Sequence, residues 1–320
     1  MGFVARHRLG CSLALFVAGL VALGVVPSFP ALPFYLDQAL QRVLLSALVC
    51  AFMALLGGGR TLAPTSAGLR SSLRLGAYPV AVAASLLALE LTGVLQLLAG
   101  PASASAAAGL EIQPAWLADL LGVAALCAFV GVFEEVLFRG VLLGGLLSRF
   151  GGTRNGLLVS ALVSSVVFGM AHVGSAAGAT DPLTLAQMLL KTVQAGSIGL
   201  VFAAVYVRTR SIWGVAALHA LTDFMLMAPL AVLGGGEEAL GSYVVSGGDA
   251  LSVALGLALV VAYLLAVALY APCAVRGWRL LEGAALPARG PLEPGWDACE
   301  DDGSDSCAPD DSRPVPPAGL

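Results

Sequence analysis

The sequence predicts an all-α membrane protein, a polytopic bundle of about eight transmembrane helices. Hydrophobic residues make up 58% of the chain and charged residues only 11%, whereas a soluble domain carries roughly 25% charged residues. The mean hydropathy is +0.91. Apolar runs recur along the chain, and most approach the ~20 residues that a helix needs to cross a bilayer. These runs are continuous rather than alternating, which favours helices over the strands of a β-barrel.

The apolar runs place eight spans, in order, near residues 9–28, 39–57, 75–98, 116–147, 155–172, 185–207, 211–232 and 250–275. We expect the first span to remain uncleaved, because no small-residue cleavage site precedes Pro27 and further spans follow. The fourth run is too long for one simple crossing.

The arginines predict the orientation of the bundle. Every second loop is basic and the loops between are acidic, which is the positive-inside pattern with both termini cytoplasmic. Arg42, near the outer start of the second span, is the one exception. A single Lys and abundant Ala and Gly indicate a high-GC bacterium. We therefore expect the protein in the inner (cytoplasmic) membrane, surrounded by membrane lipids.

The chain divides into a predicted transmembrane domain, residues 1–281, and an acidic cytoplasmic tail, residues 282–320. The tail is rich in Pro, Gly and Ser and has nine acidic residues against two arginines. This composition predicts disorder. No phosphate-binding loop, dinucleotide fingerprint or basic patch is present, so no nucleic-acid partner is expected.

Ionisable residues inside the spans need an explanation, because each costs at least ~2.5–3.5 kcal/mol at the centre of a membrane. They are Glu90, Asp119, Glu134, Glu135, Arg139, Lys191 and Asp223. Asp119 and Lys191 lie near the outer ends of their spans, where we expect them to reach the headgroups.

Three of these charges occur together in GVFEEVLFRG, residues 131–140. Glu135 and Arg139 are four apart, so on a helix they share a face and can pair. Glu134 points about 100° away from Glu135. The spacing therefore assigns Glu135 and Arg139 to structure and leaves Glu134 for chemistry, as a general base or acid.

Both histidines outside the N-terminal segment lie in predicted spans. His172 ends VVFGMAH, four residues after Phe168. His219 lies in GVAALHALTD, four residues before Asp223, which could orient its imidazole. A single such histidine is often a packing residue. Two, together with an unpaired glutamate, predict a polar site built from three helices.

These motifs, E-E-x-x-x-R, F-x-x-x-H and H-x-x-x-D in this order on consecutive spans, resemble those of the CPBP family of intramembrane proteases. That family includes the type II CAAX prenyl endopeptidases and the bacteriocin-processing and self-immunity (Abi) proteins. The resemblance covers residues 116–232, the predicted protease core. It implies an endopeptidase acting on a membrane-associated protein or peptide, and prenylated substrates are not expected in a bacterium.

The resemblance also implies residue roles. Glu134 would act on the catalytic water, His172 would help bind and activate that water, and His219 with Asp223 would stabilise the oxyanion. Asp223 can donate a hydrogen bond only when protonated, so orienting His219 or binding a metal suits it better. Glu135 and Arg139, with Phe168, would support the site.

Metal dependence is left open by the sequence. Glu134, His172 and His219 could hold Zn²⁺ with a position left for water. The HExxH arrangement of soluble zinc proteases is absent. The same residues could instead catalyse hydrolysis without a metal or cofactor, with Glu134 as the base. We favour this metal-free mechanism.

The site requires its residues at similar depths. If the fourth helix ended at Arg139, Glu134 would lie near the cytoplasmic surface and could not meet the histidines. Extending this helix to Leu147 brings Glu134 to a similar depth, and Gly140, Gly144 and Gly145 could mark a break or a close crossing. We therefore predict a long or broken fourth helix with Arg139 buried.

Two other function classes remain at this stage. A proton-coupled transporter would also place Glu, His and Asp in the membrane, but no inverted repeat is evident. A non-catalytic immunity or scaffold protein is the second alternative.

Overall fold

The computed structural model describes residues 2–99, 112–176, 178–233, 243–286, 290–293 and 296. Within these ranges the chain forms ten helices and no strand. In chain order the helices are α1 Phe3–Arg6, α2 Arg8–Val25, α3 Phe34–Leu55, α4 Ser66–Leu75, α5 Ala77–Ala99, α6 Trp116–Phe150, α7 Arg154–Ala171, α8 Pro182–Thr209, α9 Ile212–Leu233 and α10 Ala250–Glu282. All except α1 and α4 are long and apolar enough to cross a membrane. The predicted all-α bundle with eight spans is confirmed.

Two helices begin earlier than hydropathy alone predicted, because polar residues in their first turns are satisfied locally. Helix α3 starts at Phe34, and the buried Asp37 in its first turn accepts hydrogen bonds from the Phe29 amide at 2.6 Å and from Gln41 at 3.0 Å. Helix α8 starts at Pro182, where the Asp181 side chain caps it by accepting from the Thr184 amide at 2.8 Å.

Helix α6 is the long fourth helix that the sequence predicted. Its first part is α-helical from Trp116 to Glu135. The next eight residues, Val136–Leu143, form a π-helical segment, and an α-helix resumes at Gly144. The helix therefore changes its winding directly after the paired glutamates, without interruption, and Arg139 lies within the wider segment, fully buried. Both the length of this helix and the burial of Arg139 are confirmed.

Helix α6 lies at the centre of the bundle and packs against α2, α3, α7 and α9. It comes close to α9 at Gly131, where an added Cβ would lie 2.5 Å from the carbonyl oxygen of Ala216. Only a glycine permits the two backbones to come this close. Because Gly131 is three residues before Glu134 and Ala216 three before His219, this crossing sets the separation of those two side chains.

Most of the predicted disordered tail lies outside the described residues. The described residues that follow α10 pack against the bundle, with Leu292 and Trp296 buried. Glu293 forms an ion pair with Arg8, and Arg210 donates to the carbonyl oxygen of Trp296 at 2.7 Å. The start of α2 and the segment after α10 therefore lie at the same end of the bundle, as an even number of crossings requires.

Candidate active site

Glu135 and Arg139 form a fully buried ion pair on α6. Arg139 Nη1 lies 3.0 Å from Glu135 Oε1, and Nη2 donates to the carbonyl oxygen of Gly199 on α8 at 3.1 Å. The guanidinium also stacks on the Phe168 ring, 4.3 Å from its centroid. The pairing that the spacing predicted is confirmed, and it connects α6 to α7 and α8.

His219 is held from both edges of its ring. Its Nδ1 lies 2.7 Å from Glu135 Oε1, while its Nε2 lies 3.3 Å from Asp223 Oδ2 and 3.7 Å from Glu134 Oε2. The sequence paired Glu135 only with Arg139 and gave the orientation of His219 to Asp223. The contact between Glu135 and His219 joins two helices, and no spacing along the chain reports it.

This arrangement constrains the protons around the His219 ring. With Glu135 accepting from Nδ1–H, the Nε2 edge faces two carboxylate oxygens, those of Asp223 and Glu134. A neutral imidazole would present a lone pair to them, so a proton must lie on this edge, either on Nε2 or on one of the carboxylates. The Nε2 edge can therefore donate a hydrogen bond or pass a proton.

His172 follows the last residue of α7 and is oriented by its own helix. Its Nδ1 lies 2.8 Å from the carbonyl oxygen of Phe168, which places a proton on Nδ1 and leaves Nε2 as an acceptor. The Phe168 ring contacts both imidazoles, with ring centroids 4.7 Å from His172 and 5.9 Å from His219. Phe168 thus packs between the two histidines and Arg139.

One cavity of about 480 Å³ is lined by the catalytic candidates Glu134, His172, His219 and Asp223, together with Phe168. The structure therefore brings together side chains from α6, α7 and α9, whose glutamate and histidines the sequence predicted to converge. Glu135 and Arg139 are buried next to these residues and do not line the cavity, as expected of supporting residues. The catalytic role of each side chain remains a prediction.

Glu134 differs from Glu135 in its hydrogen bonding. Its side chain is 23% exposed, towards the cavity, whereas that of Glu135 is fully buried. Among the described residues no donor bonds to the shielded Oε2 of either glutamate, but Glu135 accepts from Arg139 and His219 through Oε1, and only Glu134 lines the cavity, where its Oε2 has no donor. A shielded carboxylate oxygen without a donor is costly, so this atom is suited to a water or substrate proton.

Two cations that the sequence did not assign to the site also line this cavity, Arg42 of α3 and Lys191 of α8. The sequence predicts that Lys191 reaches the headgroups, whereas the structure places its side chain in the lining of this cavity. Its Nζ donates to Gln194 Oε1 at 3.1 Å and lies 4.3 Å from the centroid of the Tyr243 ring. Burial, followed by the nearby Asp223 carboxylate, raises the pKa of the Tyr243 hydroxyl above its ordinary value, so this ring stays neutral.

The zinc ligands that the sequence left open are Glu134, His172 and His219. Across the described ranges, no group of three or more His, Cys, Asp or Glu side chains is arranged to hold a metal ion. Nδ1 of each candidate histidine is hydrogen-bonded, to Phe168 and to Glu135, which is also how metal-ligating histidines are oriented. The described side chains as placed are therefore not grouped as zinc ligands, and the metal-free mechanism stays a prediction.

Residues 115–225 match the family model described as type II CAAX prenyl endopeptidase, Rce1-like. This region is similar to the domain of the Rce1-like type II CAAX prenyl endopeptidases. It covers about a third of the chain, contains all four catalytic candidates and agrees with the predicted protease core, so the resemblance to the CPBP family is confirmed. No curated protein and no solved structure matches the chain. The chain is thus a multi-pass membrane protein that carries a protease-family domain.

Proposed function

We propose that this protein is an intramembrane endopeptidase that hydrolyses a peptide bond in a membrane-associated protein or peptide, using a water activated by Glu134 and His172. The observation that supports this most directly is the convergence of Glu134, His172, His219 and Asp223 on one cavity inside an apolar bundle. The Rce1-like domain supports the reaction class.

The attacking water would lie between Glu134 and His172. Glu134 Oε2 has no donor among the described residues and can take a proton from the water. His172 is turned by its bond to Phe168 so that Nε2 can accept the other hydrogen. Holding the water by two acceptors orients its lone pair towards the scissile carbonyl.

The tetrahedral intermediate needs a donor at its oxyanion. A protonated Nε2 edge of His219 supplies one, and it is fixed in direction by Glu135 behind it. As hydroxide adds to the carbonyl carbon, the water proton passes to Glu134. Glu134 then gives this proton to the leaving amine nitrogen as the C–N bond breaks, which restores the carboxylate.

We propose that this mechanism is metal-free. Dialysis against a strong zinc chelator should then leave activity unchanged, and stoichiometric zinc should be absent from active protein by elemental analysis. Loss of activity on chelation, with recovery on adding Zn²⁺, would contradict the metal-free mechanism and would support a metal held by Glu134, His172 and His219.

We also propose that both termini are cytoplasmic and that the protein resides in a bacterial inner membrane. Membrane-anchored proteins or peptides are the proposed substrates, rather than prenylated CAAX proteins. Fusing a reporter that is active only in the cytoplasm after Leu320 tests the orientation.

The decisive test compares Glu134→Gln with the wild-type protein. We would quantify the termini of membrane proteins in cells that express each form, using Glu90→Gln as the matched control. Glu90 is an exposed glutamate of α5 that does not line the cavity. Cleavage sites should appear with the wild-type and Glu90→Gln proteins and disappear with Glu134→Gln, while all three proteins retain the same thermal unfolding temperature in detergent.

A fluorogenic peptide that spans a site found in this way, called the site peptide below, then serves as the substrate in vitro. If no membrane-protein terminus depends on Glu134, the proposed protease activity is wrong, and a scaffold or transport role becomes the better account.

A further inference from the structure

Three buried serines of α7 differ in the partners of their hydroxyl groups. Ser160 Oγ has no hydrogen-bond partner among the described residues. Ser165 donates to the carbonyl oxygen of Ala161 in its own helix at 2.7 Å. Ser164 instead donates to another helix, to the carbonyl oxygen of Phe138 in α6 at 3.0 Å. Burial alone therefore does not explain the bond of Ser164, because Ser160 is also buried and makes no such bond.

The carbonyl group that accepts from Ser164 lies in the π-helical segment of α6. A hydroxyl from a third helix, that of Ser12 in α2, donates to the carbonyl oxygen of Val141 in the same segment. Inside a membrane, a hydroxyl that reaches the backbone of a neighbouring helix links the two helices directly. The π-helical segment, which begins directly after Glu135, is thus held by hydroxyl groups of two other helices.

Ser164 lies on the face of α7 that leads to the catalytic candidates. Phe168 and His172 follow it at intervals of four residues, so these three residues share one face of the helix. The Phe168 ring packs edge-on against the Phe138 ring, with the centroids 5.1 Å apart, and both rings line the cavity. The bond from Ser164 to Phe138 therefore belongs to the same contact between α6 and α7 that builds this part of the cavity wall.

This contact determines how two catalytic candidates lie along their helices. Phe138 comes one turn after Glu134 on α6, and Ser164 comes two turns before His172 on α7. The two helices are consecutive and run in opposite directions, joined by residues 151–153. Side chains lean towards the N-terminus of their own helix, so Glu134 and His172 lean towards each other. A shift of α7 along α6 would change their separation directly.

We propose that Ser164 is a positioning residue for the reaction, because its bond to Phe138 holds α7 in the register that lets Glu134 and His172 share the attacking water. This inference rests on the proposed function, which places the water between those two side chains. Ser164 does not line the cavity, so it acts through His172 and does not touch the substrate. Loss of the bond should therefore slow the chemical step and leave substrate binding in place.

The kinetic test measures Ser164→Ala on the site peptide, with Ser160→Ala and Ser165→Ala as matched controls. Each variant removes one buried hydroxyl from the same helix. We expect Ser164→Ala to lower kcat at least about tenfold with KM unchanged, since a displacement of about 1 Å between reacting groups can cost about 10²-fold. Both controls should keep the wild-type kcat. Ser164→Thr retains a hydroxyl and should recover most of the lost kcat.

Histidine NMR tests the position of His172 without relying on activity. The chain has three histidines, so isotope-labelled imidazole nitrogens give few signals, and His172→Gln identifies those of His172. Ser164→Ala should shift these signals, whereas Ser160→Ala and Ser165→Ala should leave them in place. The unfolding temperature in detergent should stay within about 4 °C of the wild-type value in all three serine variants, because one hydrogen bond between membrane helices contributes little to stability.

Three results would overturn the proposal. The first is a folded Ser164→Ala protein with wild-type kcat. The second is an equal loss of kcat in Ser164→Ala and Ser165→Ala, which would mean that α7 is sensitive to any lost hydroxyl. The third is a lower kcat with unchanged His172 signals.

Failure of the proposed protease function has a different signature. In that case no membrane-protein terminus depends on Glu134, and the role of Ser164 in the reaction fails with it. The His172 signals would still report whether Ser164 sets the register of α7. The two failures are therefore distinguishable.

Discussion

Glu135 Oε1 lies 2.7 Å from His219 Nδ1 and also accepts from Arg139 at 3.0 Å. A single buried carboxylate oxygen therefore joins the ion pair of α6 to the imidazole of α9. Glu134 lines the cavity and Glu135 does not. These two adjacent residues of α6 are therefore suited to different tasks. We propose that Glu135 positions His219, and Glu134 remains the candidate base.

Substituting Glu135 by Gln tests this positioning role. The amide keeps the shape but removes the charge that holds the Nδ1 proton of His219, so we expect activity on the site peptide to fall about 10–100-fold. The pH–rate profile should also move, because the basicity of His219 changes with its partner. Because Glu135→Gln leaves the Arg139 charge without its partner, the unfolding temperature should fall in either case. A purely structural role would leave the pH–rate profile in place, and Glu90→Gln should change neither the temperature nor the profile.

Substituting Arg139 by Met tests the buried pair. Removing the guanidinium leaves the Glu135 carboxylate charged and uncompensated in the interior, so we expect a loss of about 3–5 kcal/mol in stability. The combination of Arg139→Met with Glu135→Gln should recover part of this loss, because it removes the stranded charge. Unfolding experiments in detergent measure the stability of Arg139→Met and of the double variant. If the double variant is no more stable than Arg139→Met alone, the stacking of Arg139 on Phe168 dominates instead.

Substituting Asp223 by Asn separates two roles for this residue. Its Oδ2 lies 3.3 Å from His219 Nε2, and an amide oxygen can accept in the same position while the amide nitrogen can donate to an oxyanion. We expect Asp223→Asn to retain activity within about tenfold, because the amide keeps an acceptor that orients His219, whereas loss of an oriented oxyanion donor costs about 10²–10³. Asp223→Leu should lose activity to that larger extent. Equal and severe losses in both variants would show that the negative charge itself is required.

The sequence predicted those parts of the site that lie within one helix. Spacing of four residues identified the pairs of Glu135 with Arg139 and of His219 with Asp223, because a helix brings such residues onto one face. The depth argument identified the length of α6. The contact of Glu135 with His219, and the position of Arg42 and Lys191 in the cavity, depend on how separate helices pack. That packing leaves no signal in the local spacing of a single sequence.

The sequence also did not predict the π-helical segment of α6. The glycines at 140, 144 and 145 suggested a break or a close crossing in this part of the helix. The π-helical segment instead begins at Val136, directly after Glu135, and ends just before Gly144. π-Helical segments occur often at functional sites, and their residue pattern is not distinguishable from that of an apolar α-helix.

Gly131 controls the distance between α6 and α9, and its substitution tests whether that distance matters for chemistry. A Cβ at this position would lie 2.5 Å from the carbonyl oxygen of Ala216 and 3.1 Å from the amide nitrogen of Ala220, both backbone atoms that cannot move aside without moving the helix. Gly131→Ala should therefore displace His219 from Glu134, which lies 3.7 Å from it. We expect a loss of about 1–3 kcal/mol in stability, as for other overpacked interiors.

The accompanying loss of activity should exceed what the fraction of unfolded protein explains, since a small displacement of reacting groups can cost about 10²-fold. Gly93→Ala is the matched control, because it adds the same methyl group to α5 with nothing within 4 Å. Activity on the site peptide and the unfolding temperature should be measured for both variants at a temperature where each is folded. If folded Gly131→Ala keeps wild-type activity, the separation of these two helices does not limit the reaction, and His219 does not act together with Glu134.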